Sequence, residues 1–409
     1  MSDTDYDLII VGGGMVGASL AISLAGQPLR IALIEAAPLR TDAGPANYDD
    51  RAIALSFGSR RIFDAMGLWA DIAPQATAIE HIHVSDQGRF GFTRLHAQQE
   101  KVAALGYVVT ARQLGAVLMD RLQSCENLTV MSPATLSDLK LGDDHATAVI
   151  HHDNGKTQAL TCRLLVAADG GNSPVRNLLD IHTTAHDYGQ TAIIANITPQ
   201  KAHGHVAYER FTRHGPLALL PMADNRCSLV WTRTPQDAQR LLDENEADFL
   251  NELQSCFGNR LGRFTRVGRR HGYPLQLIRA EEQVRQRLAL IGNAAHTLHP
   301  IAGQGFNLGL RDVAALAQCI VDTQHNNDDI GALSVLEQYA HWRQRDHRQV
   351  IGFTNSLVRT FSNDFPPLAC ARNLGLIATD VLPPVKHLLA RHAMGLAGRL
   401  PRLARGLPL

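Results

Sequence analysis

No stretch of this sequence reaches the ~18 uninterrupted apolar residues that a membrane-spanning helix needs. A secretory signal is missing as well: Asp3, Asp5 and Asp7 carry the wrong charge, and the apolar run at residues 8–11 is too short. Net charge is also absent. The 39 Lys and Arg balance 39 Asp and Glu, which excludes a general binder of nucleic acid or another polyanion. Cysteine is scarce, with six at 125, 162, 227, 256, 319 and 370, none in a CxxC or at zinc-ligand spacing. These absences predict reduced, mostly buried thiols in a cytoplasmic protein, at most peripheral to the inner membrane.

What remains is globular. Hydrophobic residues make up 45% and charged residues 19%, and 409 residues exceed what one core usually holds, so two or three packed units are expected. Asp7-Leu-Ile-Ile-Val11 is a short apolar run of the kind buried on both faces of a parallel sheet. It leads directly into Gly12-Gly13-Gly14-Met15-Val16-Gly17 and a helical stretch. Gly12, Gly14 and Gly17 fit GxGxxG: a tight turn, a close approach to a pyrophosphate, and tight helix–strand packing. A second strand ends at Glu35, where a carboxylate can accept both hydroxyls of an adenosine ribose. The pattern predicts a dinucleotide site and leaves NAD and FAD both open.

Two later segments bear on the cofactor. Arg163-Leu-Leu-Val-Ala-Ala-Asp169-Gly170 reads as another buried strand ending in Asp-Gly. Leu288-Ala-Leu-Ile-Gly292-Asn293 leads to Pro300, Gly303-Gln304-Gly305 and Asn307, then a helix. A helix start behind an open loop presents N–H groups and positive potential to an anion. A reduced flavin is such an anion.

In order along the chain, these three segments resemble the FAD-dependent aromatic hydroxylases typified by para-hydroxybenzoate hydroxylase. Asp50-Arg51-Ala-Ile-Ala-Leu55, Glu209-Arg-Phe211 and His214-Gly-Pro-Leu-Ala218 are similar to the ubiquinone-pathway branch of that family. One departure stands out: Asn293 replaces the usual Asp, and its amide can still bond a ribityl hydroxyl. The resemblance implies an α/β fold: a discontinuous Rossmann-like FAD-binding domain (residues 1–75, 105–185 and 285–330), an inserted β-rich substrate domain (76–104 and 186–284) and a helical C-terminus (331–409).

The resemblance further implies an FAD monooxygenase using NADH or NADPH and O2. Its flavin C4a-hydroperoxide would hydroxylate the ring of a 2-polyprenyl-6-methoxyphenol in ubiquinone biosynthesis. Another ring position, or a weakly active flavoprotein subunit of a complex, is the alternative. Carried across, Gly12, Gly14, Val16 and Gly17 would hold the pyrophosphate and Glu35 the ribose. Arg51 would lie beside the flavin, and Arg112 would reach the ribityl–phosphate region. Asp169 and Asn293 would bond the cofactor chain, Pro300, Gly303, Gln304 and Gly305 would lie along the isoalloxazine, and Asn307 belongs to the same cofactor-binding segment.

The run Leu217-Ala-Leu-Leu-Pro221 is expected to face the ring, through Leu217, Leu219 and Pro221. No side chain stands out as the base for the phenol proton. The close pairs His81/His83, His151/His152, His203/His205 and His296/His299 lack a third ligand at recognisable spacing, so no metal is expected. After Asp380 the tail carries no acid, while Lys386, Arg391, Arg399, Arg402 and Arg405 lie among apolar residues. This basic amphipathic tail suits contact with an anionic membrane or a biosynthetic partner, and would be the contact in any homo-oligomer.

Overall fold

The computed structural model describes residues 4–39, 47–297, 303–361 and 366–409, the stretch 353–371 by its backbone alone. Strand Tyr6–Val11 is central to a mixed sheet, pairing in parallel with Ile31–Ile34 on one side and Thr157–Ala167 on the other. Leu128–Met131 and Leu288–Leu290 extend the parallel core outward. Because successive strand residues alternate sides, Leu8 and Ile10 join a core with helices Met15–Ser23 and Gln304–His325. Ile9 and Val11 pack on the other side with Ala148 and Ile150, from the antiparallel pair Ala134–Leu141 and Ala146–His152. Burial on both sides explains why the sequence runs are continuously apolar.

A second, nine-stranded sheet holds His81–Asp86, Phe92–His96 and most strands between Thr183–Pro199 and His271–Ala280. One face is covered by helices Pro235–Asp243 and Glu246–Phe257, whose Ala238, Leu241, Phe249 and Leu253 join its core. The other face turns toward the parallel-sheet unit: Ala207 and Met222 pack with Ile79 and Val108. Two short strands cross the sequence boundaries. Thr77–Ile79 pairs with Gly106–Thr110 in a separate three-stranded sheet, and His296–Thr297 joins the edge of the nine-stranded one.

The C-terminal region is helical, with Leu333–Phe361, Pro366–Val381 and Pro383–Ala393. Pro366–Val381 lies against Phe92–His96, where Thr93 Oγ1 donates to the Leu376 carbonyl (2.8 Å) and the Arg94 N–H to Asp380 Oδ1 (2.9 Å). Ala390 and Met394 of the last helical segment pack with Leu95 and Leu105. Among the described residues, no helix is long and apolar enough to cross a membrane.

Candidate functional site

The glycine loop closes on itself. A Cβ at Gly12, where φ is +103°, would lie 2.6 Å from the Ala168 carbonyl oxygen, and one at Gly17 only 1.9 Å from that of Gly12. Gly14 differs, because no atom lies within 4 Å of its Cβ position. It begins helix Met15–Ser23 without a side-chain cap, leaving first-turn N–H groups in front of an open space. Glu35 stands at the edge of that space. Its Oε2 accepts the Gly13 N–H at 2.6 Å and its Oε1 the Ala37 N–H at 2.8 Å. Val16 has a packing role, its side chain filling the gap against Gly292 and Gly309.

Asp169 follows the strand next to Tyr6–Val11, and its Oδ2 accepts the Val175 N–H at 3.0 Å. Its Oδ1 is closed off from solvent and has no partner. Burial raises this carboxyl above its ordinary range, against hydrogen bonds from Ser173 and Val175. Such an orphaned acceptor, beside an uncapped helix start and the open cradle at Gly14, fits the hydroxyl-bearing chain of a dinucleotide.

The third segment completes the cradle. Asn293 is exposed on the turn Gly292–Ala294, in position to reach a ligand. Gly303 adopts the left-handed conformation (φ +60°) before helix Gln304–His325, where a Cβ would stand 2.9 Å from that of Ala54. Gly305 faces open space, and Gln304 is buried in the first turn. Pro300 lies outside the described residues. Asn307 is held by the protein itself. Its Oδ1 accepts from the Ser56 N–H (2.8 Å) and Ser59 Oγ (2.6 Å), while its Nδ2 donates to Ala54 O (2.9 Å) and Gly303 O (2.7 Å). Both donors and both acceptor sites go to protein, so the Asn307 side chain positions the loop.

Arg51 is exposed just before strand Ala52–Ser56, and its carbonyl accepts the Ala111 N–H at 2.7 Å. Arg112 sits in the first turn of helix Ala111–Gln123, with Nε 2.8 Å from Asp50 Oδ2. Asn196 of the nine-stranded sheet donates to the carbonyls of Tyr48 (2.7 Å) and Asp50 (2.9 Å). That sheet is thereby fastened beside the two arginines.

The expectation for Leu217, Leu219 and Pro221 is corrected by the direction of the strand. Leu217 and Leu219 are fully buried under the helices, in the core with Trp231 and Phe249, and Pro221 shares their parity. Ala218 and Leu220 point the other way, toward the glycine-loop unit. With Val84, Ile194 and Val230 they make a half-buried apolar patch on that face. One carboxyl interrupts it. Glu209, between Ala207 and Phe211 on strand Val206–Thr212, has an Oε1 closed off from solvent and unpartnered. Burial alone pushes this carboxyl up to about 7. A charged residue alternating with Ala207 and Phe211 was the signal in the sequence.

His296 joins residues far along the chain, and His299 lies outside the described residues. Asp312 Oδ2 is 2.8 Å from His296 Nε2, while its Oδ1 is 2.7 Å from both His347 Nε2 and Arg343 Nε. Burial alone would raise Asp312, but His347, Arg343 and His296 outweigh it and hold the carboxyl well below its usual range. Among the described residues this is the one His/Asp group close enough to share a metal ion. The Arg343 guanidinium already supplies a cation there, so the geometry favours an ion network tying the helices Gln304–His325 and Leu333–Phe361 to strand His296–Thr297.

Parallel sheet, glycine loop, open cradle and apolar facing sheet together define a flavoprotein of the hydroxylase class. Comparison with known proteins agrees. Residues 5–354 match the family described as FAD binding domain, and the chain belongs to that family of flavin-dependent monooxygenases, which bind FAD and use NAD(P)H as co-substrate. It is 39% identical to ubiquinone hydroxylase UbiL of Rhodospirillum rubrum, over 100% of this chain and 94% of that one. With 3-demethoxyubiquinol 3-hydroxylase of Escherichia coli it shares 31% identity over 97% of this chain and 100% of that one. The crystal structure of p-nitrophenol 4-monooxygenase PnpA from Pseudomonas putida shares the fold, with a TM-score of 0.78, 18% identity and coverage of 96% and 98%.

Proposed function

We propose that this enzyme hydroxylates the aromatic ring of a 2-polyprenyl-6-methoxyphenol in ubiquinone biosynthesis. Full-length similarity to ubiquinone hydroxylases carries the reading, since it spans the substrate sheet as well as the FAD loops. The apolar patch of Val84, Ile194, Ala218, Leu220 and Val230 supports it, being suited to a prenylated ring. Bound FAD, reduced by NAD(P)H, supplies the activation of O2. The protein's residues do the rest. Gly14 and its helix start hold the pyrophosphate, Glu35 the ribose, and Asp169 and Asn293 the chain between. Arg51 and Arg112 add positive charge alongside, and Gly303 to Gly305 shape the bed for the ring system. The apolar face orients the phenol and excludes water.

Deleting the gene and profiling quinone intermediates by mass spectrometry tests the reading. Accumulation of 2-polyprenyl-6-methoxyphenol, cured by wild type and not by Gly14→Trp, is the expected result. Build-up of a different polyprenylphenol would move the ring position; unchanged quinone levels in a cell with no second hydroxylase would overturn the pathway.

The C-terminal helices supply a docking face for an anionic bilayer. Leu374, Ile377 and Val381 recur at helical spacing on one side of Pro366–Val381, and Leu382, Val385 and Leu388 continue the stripe. All six are exposed, and Arg391, Arg399 and Arg405 are exposed beyond them in a segment without acids. Sedimentation with phosphatidylglycerol vesicles, lost on changing Leu374, Val381 and Leu388 to Ser, is the expected behaviour. Dimers or a protein partner lost with the same changes would assign the face to that occupant instead.

A further inference from the structure

We propose that Glu209 is the general base of the hydroxylation, the carboxylate that takes the proton from the phenol hydroxyl. The inference rests on the functional reading above and adds the group that reading lacks.

Placement is the first argument. Glu209 stands opposite Val84 on one neighbouring strand and Ala218 on the other. Side chains directly opposite across a ladder point to the same face, so all three look toward the glycine-loop unit. Its immediate flanks are therefore apolar on both sides, and neither offers a hydrogen. Other candidates point away. Tyr208 and Arg210 alternate to the helix-covered face, where Tyr208 and His83 meet edge-to-face with ring centres 5.8 Å apart. Glu209 is the acid–base group that this patch presents among the described residues.

Isolation is the second argument. A buried acceptor without a donor is unfavourable unless a ligand completes it. A phenol O–H seated against the apolar patch is a donor of the right kind. The nearest acid on the same face, Asp86, is occupied by Arg372 Nη2 at 2.9 Å and Arg89 Nε at 3.7 Å. No charged side chain of the described residues acts on Glu209 from the strands beside it, and burial alone accounts for its raised pKa near 7. A base balanced at that value takes a proton and releases it again near neutral pH.

The step balances without any redox change. The phenol O–H bond breaks, an Oε1–H bond forms, and the electron pair stays on the phenol oxygen. Charge spreads from there to the ring carbons ortho and para to it, which become better nucleophiles toward the activated oxygen. The ring carbon that has gained the oxygen then loses its C–H proton to water, the electron pair of that bond restores the aromatic ring, and Glu209 returns its own proton to the original oxygen.

The test uses FAD-loaded wild type, Glu209→Gln and Glu209→Asp with 2-farnesyl-6-methoxyphenol. Flavin reduction by NAD(P)H and hydroxylated product per NAD(P)H consumed are followed across pH. Wild-type product formation should rise with pH through a midpoint near 7. Glu209→Gln should reduce the flavin normally, lose on the order of 10²-fold in hydroxylation and release peroxide instead. Its midpoint near 7 should vanish, and Glu209→Asp should restore part of the rate with a shifted midpoint. A Glu209→Gln enzyme with the wild-type rate and midpoint overturns the base and leaves the functional reading intact. A wild type that forms no product from this phenol overturns both.

Discussion

Asn307 and Ser56, 251 positions apart in sequence, are joined by a 2.8 Å hydrogen bond from the Ser56 N–H to the Asn307 Oδ1. The same side chain holds Ser59, Ala54 and Gly303, so one amide welds the loop before helix Gln304–His325 to strand Ala52–Ser56. At about 1 kcal/mol net per hydrogen bond, Asn307→Ala should cost about 2–4 kcal/mol in urea unfolding. FAD affinity should fall with it, because the loop that Asn307 holds loses its anchor. Asn307→Asp should be worse than Ala, because it buries a negative charge against the Ala54 and Gly303 carbonyls.

Gly17 and Gly14 should separate folding from cofactor binding. Gly17→Ala forces a Cβ to 1.9 Å from the Gly12 carbonyl oxygen, and should destabilise the FAD-free protein by about 1–3 kcal/mol or more. Gly14→Ala meets nothing within 4 Å and keeps an ordinary φ of −63°. Thermal melting of the FAD-free protein should barely change, while flavin retention on gel filtration should drop. Equal melting losses in both variants would contradict this division.

Asp312 should govern acid stability. Replacing it with Asn removes the carboxylate at Arg343 Nε and leaves that buried guanidinium with Asp346 alone, which should cost about 3 kcal/mol at neutral pH. The depressed carboxyl contributes stability that is present above the ordinary carboxylate range and is lost as the pH falls through its low folded value. His347 is lowered by burial, against the pull of Asp312. Its folded pKa lies below the unfolded value of about 6.5, so stability declines as pH drops through that range. His347→Gln should flatten this earlier part of the urea midpoint–pH curve.

The two faces of strand Gly215–Met222 should respond differently. Leu217→Ala opens a cavity under the helices and should cost about 2–5 kcal/mol while hydroxylation persists wherever the protein stays folded. Leu220→Trp projects into the half-buried patch and should block product formation with little change in melting temperature. The reverse pattern would return the substrate to the Leu217 face.

Much of the glycine loop is legible in the sequence for a steric reason. Where a strand and a helix must approach closely, only glycine leaves room, so Gly12 and Gly17 mark the loop. Glu35 at a strand end and Asp169-Gly170 follow the same local logic. The sequence places Asn307 in the same motif but says nothing of what its amide bonds. Its four partners come from 54–59 and 303, and only folding assembles them.

Local chemistry in the chain thus specified the alternating α/β plan, the glycine loops, the acid at the strand end and the basic helical tail. Which side of strand Gly215–Met222 the helices cover was beyond it. Leu217-Ala-Leu-Leu-Pro221 is apolar on both faces, because helices cover one and the other packs toward Ile79 and Val108, and a period of two gives no sign of which is which. The loneliness of Glu209 and the crowding of Asp312 are tertiary facts too. A carboxyl takes its protonation state from what surrounds it, and those surroundings come from strands and helices far away in the chain.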